Sequence, residues 1–186
     1  MPDIWSDFLE SFKGDPAAAE LLSRPSVVGL ADRMAALCPW VAEQIHGEGA
    51  QPHCTMVHGD YKAMNVFVTA TADAVLDPGG AALIDFQWTG VGLGMLDVAM
   101  HLYHSVELAA MEGGGEAELV QFYHSRVTAL LSEHDAAAYT KEVAQRHYNL
   151  CVLDYGRVVM SCFWAGASAN AFAAKAARQN CSMVSD

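Results

Sequence analysis

Positive charge is what this chain has least of: 10 lysines and arginines stand against 22 aspartates and glutamates, a formal net charge of −12 over 186 residues. No basic run occurs, and binding a phosphate backbone needs clustered cations, so the composition argues against nucleic acid as a partner. It says less about a nucleotide held through a divalent metal. The five cysteines (Cys38, Cys54, Cys151, Cys162 and Cys181) are odd in number, widely spaced and without a C-x-x-C pair. That pattern predicts free thiols in a reducing, cytoplasmic compartment rather than a disulfide framework or a zinc site. Long apolar runs are also missing. The longest uncharged stretch, Val158 to Ala174, is short for a span and is interrupted by Ser161, Ser168 and Asn170, so it predicts a buried helix and no membrane partner. No basic segment followed by an apolar core opens the chain, so no secretory leader is expected, and no internal repeat is visible.

What is present suits one domain with a full core. Ile4, Trp5, Phe8, Leu9 and Phe12 recur at helical spacing and predict an amphipathic helix ending near Gly14, followed by a turn at Asp15-Pro16. Ser26 is placed to cap a second helix with Val27, Leu30, Ala31, Met34 and Leu37 on its apolar face, kinked or split by Pro39. Val66-Phe67-Val68 and Ala82-Leu83-Ile84 read as strands of a hairpin turning at Asp77-Pro78-Gly79-Gly80. The glycines Gly90, Gly92 and Gly94 lack the G-x-G-x-x-G spacing of a dinucleotide loop and read as an irregular connection. Asp97 is expected to cap a helix that runs to Gly113-Gly114-Gly115. Two further helices follow, Ala117 to Leu131 and a long one from about Ala136, whose stripe is flanked by His147 and Asp154, either as cleft-lining or as helix-edge residues. His101 and His104, three apart, read as helix-surface residues rather than a metal pair, since no third ligand is near in sequence.

The chemistry concentrates between Met56 and Asp97. His58-x-Asp60, then four residues, then Asn65 has the spacing of a kinase catalytic loop, and Asp85-Phe86 stands where a metal-holding acid would follow. Phosphoryl transfer needs a carboxylate to orient or deprotonate the attacking hydroxyl and oxygen ligands for Mg2+ on the nucleotide phosphates. Asp60 fits the first role, and Asn65 and Asp85 fit the second. Lys62 can bring an ammonium to the transferred phosphoryl group, and His58 reads as a brace for the loop. The intervening hairpin would fold Asp60 and Asn65 back beside Asp85.

HGDYKAMNVF followed by ALIDFQWTGVGLGMLDVAMHL resembles the aminoglycoside phosphotransferase and choline kinase-like superfamily, especially its ecdysteroid-kinase-like branch. The resemblance implies a protein-kinase-like fold, with Asp60 as the catalytic aspartate, Asn65 and Asp85 as magnesium and nucleotide ligands, and Asp97 as a structural acid beneath the catalytic loop. It also implies ATP and Mg2+ and a small-molecule hydroxyl as acceptor. Gln87 departs from the D-F-G of protein kinases but agrees with the small-molecule branch. The family's N-terminal lobe, with a glycine-rich flap and a strand-borne lysine, does not fit in the 57 residues before His58, which read as helices.

The expected architecture is therefore mainly α with a small β-hairpin, an α+β fold: a kinase-like C-terminal lobe over 1–186 without the N-terminal lobe, with catalytic and metal loops at 56–97 and helices over 98–180. Two functions follow from it. One is a truncated small-molecule kinase lobe that transfers the γ-phosphoryl group of ATP to a substrate hydroxyl, its N-lobe missing or supplied separately. The other is a catalytically inactive, pseudokinase-like or partner-binding lobe, which predicts an exposed apolar patch and self-association or a partner. A metal-dependent phosphoester hydrolase using the same acids ranks behind both, for want of further histidine ligands.

Overall fold

A computed structural model describes residues 2–70 and 76–163. The helices are α1 (Pro2–Phe12), α2 (Pro16–Ser23), α3 (Pro25–Val28), α4 (Leu30–His46), α5 (Met95–Ser105), α6 (Leu108–Met111), α7 (Gly115–Thr128), α8 (Glu133–Ala138) and α9 (Lys141–Val158), the last running into a π-helical turn at Val159–Phe163. Among the described residues four strands, β1 (Cys54–Val57), β2 (Val66–Ala70), β3 (Leu76–Leu83) and β4 (Gly90–Leu93), form two separate antiparallel pairs, β1 with β4 and β2 with β3. The fold is thus mainly helical with a small β component, as the sequence predicts.

The chain divides into two compact units, one of Met1–Trp40 with the chain from Gly156 onward, the other Val41–Tyr155. In the first, Trp5 is buried, stacks on Phe8, and donates its indole N–H to the Val27 and Val28 carbonyls at 3.0 and 3.2 Å. A buried indole needs such a partner, which fixes α1 against α3. In the second, Val41, Ile45, Leu93, Met95, Ala99, Leu102, Val120, Ala144, Tyr148 and Cys151 belong to one buried cluster. Leu93, Met95, Ala99 and Leu102 place the end of β4 and one face of α5 in that core, so α5 is the fixed element beside the central stretch.

Several boundaries differ from the sequence expectation, each for a local reason. Asp15-Pro16 begins α2 rather than marking only a turn, because proline's fixed φ suits a first helical position. Proline plays the same part in α3, where Arg24 is the N-cap and Ser26 lies inside the helix. Pro39 neither splits nor ends α4; Ala35, whose carbonyl it would leave unpaired, is exposed and can be hydrated. The Asp77-Pro78-Gly79-Gly80 segment lies within β3, not at the hairpin turn. Val68 pairs with Ala81 but Ala70 with Leu76, so the segment is absorbed as a bulge, where a residue without an N–H can sit in a strand. Gly90 to Leu93 is strand β4 rather than an irregular connection, and Gly94 caps α5. Asp97 falls in the first turn of α5, which ends at Ser105. The triple glycine instead leads into α7. The long helix starts at Lys141 rather than Ala136, since Thr140 Oγ1 accepts the Val143 amide at 3.3 Å and starts it afresh. Beyond Phe163, the uncharged stretch and the end of the helical remainder lie outside the described residues, as does Cys181. The four described cysteines are free, and no described helix is long and apolar enough to cross a membrane.

Candidate active site

β1 delivers the chain to His58, and its pairing with β4, with Val57 opposite Gly90, sets the start of α5 beside the same loop. Asp97, one turn into α5, accepts the His58 amide on Oδ2 at 2.7 Å and the Gly59 amide on Oδ1 at 2.9 Å. The sequence makes this contact possible at Gly59 in particular. Its φ is +79°, and a Cβ there would run into the Trp88 carbonyl. Glycine thus lets the loop after β1 touch the loop after β3.

Asp60 is 8% exposed. A short 3-10 turn, Ala63–Asn65, folds the chain back so that Asn65 Nδ2 donates to the Asp60 carbonyl at 2.9 Å and to its Oδ2 at 3.0 Å. That closure is the physical content of the four-residue spacing. Lys62 Nζ lies 2.7 Å from the same carboxylate oxygen. Burial acts to raise the Asp60 pKa, but the hydrogen bonds from Lys62 and Asn65 and the positive charge of Lys62 outweigh it, holding the carboxyl below its ordinary range. The site keeps this acid ionised. The structure therefore puts the Lys62 ammonium on Asp60.

His58 joins the two acid-bearing loops. Its Nδ1 takes the Asp60 amide at 3.3 Å, which leaves the proton on Nε2, 2.9 Å from the Ile84 carbonyl. Ile84 in turn donates its amide to the Asn65 carbonyl at 3.1 Å, extending the β2–β3 ladder by one pair. Both backbone groups of Ile84 are thus tied to the loop that carries Asp60, and Asp85 is the next residue. Asp85 is the one described non-glycine residue with positive φ (64°), a conformation aspartate tolerates better than most residues and one that concentrates at functional positions. The hairpin does bring Asp60, Asn65 and the backbone leading into Asp85 into one hydrogen-bonded frame.

The Asn65 Oδ1 and the Asp85 carboxylate accept no hydrogen bond among the described residues. They are hard oxygen donors of the kind Mg2+ takes alongside water and phosphate oxygens, so the donor set fits that ion. Among the described residues no three His, Cys, Asp or Glu side chains are grouped to hold a metal by themselves.

Three neighbours of the site are not assigned to it by the sequence reading. His101 Nδ1 lies 3.2 Å from the Tyr61 carbonyl, and Ser105 Oγ accepts the Ala63 amide at 2.8 Å. Their spacing from Asp97, four and eight residues, was the available signal. Tyr155 on α9 feels the Asp60 charge, which together with burial, the larger cause, raises its phenol pKa. His147 is buried rather than cleft-lining, its ring edge-on to His53. Exposed apolar side chains crowd the same region: Met56, Met64, Phe67, Phe86, Trp88 and Val91 are each more than half exposed.

The chain matches the ecdysteroid kinase-like family over residues 6–135. No curated protein and no solved structure matches it.

Proposed function

The chain belongs to the ecdysteroid kinase-like family, and from that membership we propose that it is the acid- and metal-bearing lobe of a phosphotransferase that moves the γ-phosphoryl group of ATP to a small-molecule hydroxyl. Kinase-like phosphotransfer, with ATP as co-substrate and usually Mg2+, follows from the family; the assignment of residues rests on the frame that joins Asp60, Asn65 and Asp85. Asp60 orients the acceptor hydroxyl and takes its proton as the oxygen attacks the γ-phosphorus. The bond from that phosphorus to the β–γ bridging oxygen breaks, and ADP leaves with the electron pair. Asn65 Oδ1 and the Asp85 carboxylate are the residues that would hold Mg2+, which supplies charge compensation on the phosphates when bound. Lys62, resting on Asp60, keeps it ionised and is the cation available to the transferred group. His58 and Asp97 hold the loops.

A second reading is favoured by the exposed apolar side chains of residues 56–91. We propose that this surface receives the nucleotide-clamping half of the site, from a separate N-lobe or a second copy, and that alone the lobe is inactive or binds partners. The four free thiols among the described residues suit a cytoplasmic location.

Calorimetry with Mg-ATP separates the readings, millimolar nucleotide without heat favouring the second. Where turnover of Mg-ATP with a panel of hydroxylated small molecules is detected, Asp60→Asn should lower kcat by about 10²- to 10⁴-fold, and Asp85→Ala should lower turnover and raise the Mg2+ concentration that what remains requires. Turnover undiminished in both variants sinks the mechanism.

A further inference from the structure

The loop that carries Asp60 is held from one side by a single helix, at regular intervals. Asp97, His101 and Ser105 lie four residues apart, on neighbouring positions of one face of α5, since successive residues at that spacing advance by only about 40° around a helix. Each reaches the backbone of a different loop residue. Asp97 takes the amides of His58 and Gly59, His101 meets the Tyr61 carbonyl, and Ser105 takes the Ala63 amide. A carbonyl only accepts, so His101 Nδ1 must carry a proton. The Tyr61 ring also packs on the His101 ring, with centroids 5.2 Å apart. The other face of α5, with Met95, Ala99 and Leu102, is buried in the core.

We propose that His101 and Ser105 are positioning residues of the phosphotransfer site, continuing the Asp97 contact into a three-rung ladder that pins the backbone on both sides of Asp60 to the rigid helix. The proposal rests on the reading of Asp60 as the base. Neither residue touches the reacting atoms. Tyr61 and Ala63 flank Lys62, so the two added rungs fix the segment from which Lys62 reaches the Asp60 carboxylate and from which the turn returns Asn65 to it. With Asp97 alone, only the entry to the loop would be held. Preorganisation of this kind acts on kcat, because the base must already stand in its reacting position when the hydroxyl arrives.

Two measurements on the full chain test the ladder separately from the activity. Amide hydrogen exchange without ligand reads the Ser105 rung directly. Ser105→Ala should speed exchange at Ala63 by about 2- to 10-fold, the range that loss of one ordinary hydrogen bond gives, with core amides such as Cys151 unchanged. This result does not depend on any turnover being found. Where Mg-ATP turnover is measured, His101→Ala should lower kcat with little change in KM for Mg-ATP. His101→Asn, whose amide N–H can replace the Nδ1 donor, should restore much of it, a rescue that a purely space-filling role would not give. Unchanged exchange at Ala63 in Ser105→Ala would overturn the ladder even if the protein is an active kinase. So would a fall in kcat, KM and thermal stability together in His101→Ala, without rescue by asparagine. Absence of turnover in the parent protein counts against the kinase reading alone and leaves the exchange result to decide the ladder.

Discussion

Replacing Gly59 with alanine tests the claim that this residue is what allows the two acid-bearing loops to meet. Two costs add. At φ +79° an alanine would sit in the left-handed region, which costs an L-residue about 1–2 kcal/mol. Its Cβ would also meet the Trp88 carbonyl oxygen, and would lie 2.9 Å from the Trp88 carbonyl carbon and Cβ. These are backbone atoms and the root of a side chain, which cannot swing aside, so relief requires a backbone shift of the kind that costs about 1–3 kcal/mol in packed sites. The sum, about 2–5 kcal/mol, corresponds to a fall in Tm of roughly 5–15 °C for a chain of this size. Because the shift would separate Gly59 from Trp88, it moves the catalytic loop away from the segment that follows Asp85, and turnover should fall further than stability does. Gly90→Ala is the internal control: nothing lies within 4 Å of a Cβ there, and it should leave Tm unchanged within about 2 °C, since Gly→Ala at compatible positions is neutral or mildly stabilising. Calorimetric or circular-dichroism melts of the two variants decide the matter. If Gly59→Ala melts with the parent and the control, the contact between the loops is not what the glycine is for.

Two further predictions concern pH. Lys62→Met removes the leading contacts that hold Asp60 below its ordinary range while leaving the burial that raises it. In the parent the stabilising contribution of this carboxylate is in force above the unfolded range near 3.8 and is lost as pH falls through the lower folded value. In the variant, that loss and the acid limb of the Mg-ATP rate profile should both move to higher pH; an unmoved limb would show that Lys62 does not tune the acid. His147 has the same sign at a higher pH, since burial, then the nearby charges of His53 and Arg146, lower its pKa from 6.5 to about 4. The unfolded chain then binds the proton more readily than the folded one between those values, so stability is intact above pH 6.5 and falls as pH drops towards 4, by up to about 3 kcal/mol. His147→Phe, close in volume and without the unpartnered buried Nδ1, should flatten that dependence in urea titrations at pH 7 and pH 4.5; an equal acid loss in both proteins would assign it to other groups.

How much of this was legible from sequence depends on whether the cause is local. Turn and capping chemistry misled wherever tertiary context supplied another outlet. Asp77-Pro78-Gly79-Gly80 carries every mark of a turn, yet β3 absorbs it as a bulge because the strand continues to pair on either side of it. Pro39 is tolerated inside α4 because the face it weakens meets water. The glycines of β4 and Gly94 after it suggested a loop by composition, but a Cβ on Gly94 would run into the Tyr123 hydroxyl and one on Gly92 would lie 3.0 Å from the Leu96 side chain. They are small because neighbours approach. By contrast the spacing of Asp60 and Asn65 was legible because its cause is local: one 3-10 turn closes an amide onto a carboxylate five residues back.

The residues of the central stretch then sort by what they touch. Asp60, Lys62, Asn65 and Asp85 are the residues proposed to act through their side chains, and such residues announce themselves by type and spacing. His58, Gly59, Asp97, His101 and Ser105 instead act on backbone amides and carbonyls, through a ring, an absent Cβ, a carboxylate, a second ring and a hydroxyl. Backbone groups are the same whatever residue carries them, so many side chains can serve, and no residue type marks the role. What marks it is periodicity. A loop that lies along a helix must be met at positions one turn apart, and D-x-x-x-H-x-x-x-S from Asp97 to Ser105 has that period within a helix whose other face is apolar at Met95, Ala99 and Leu102. Read together, the two periodicities of α5 show a helix with one face in the core and polar residues of three different chemistries on another. A solvated face requires no such variety. A face that must satisfy two amides, a carbonyl and a third amide in succession does, because each rung has to match the donor or acceptor that the loop presents there.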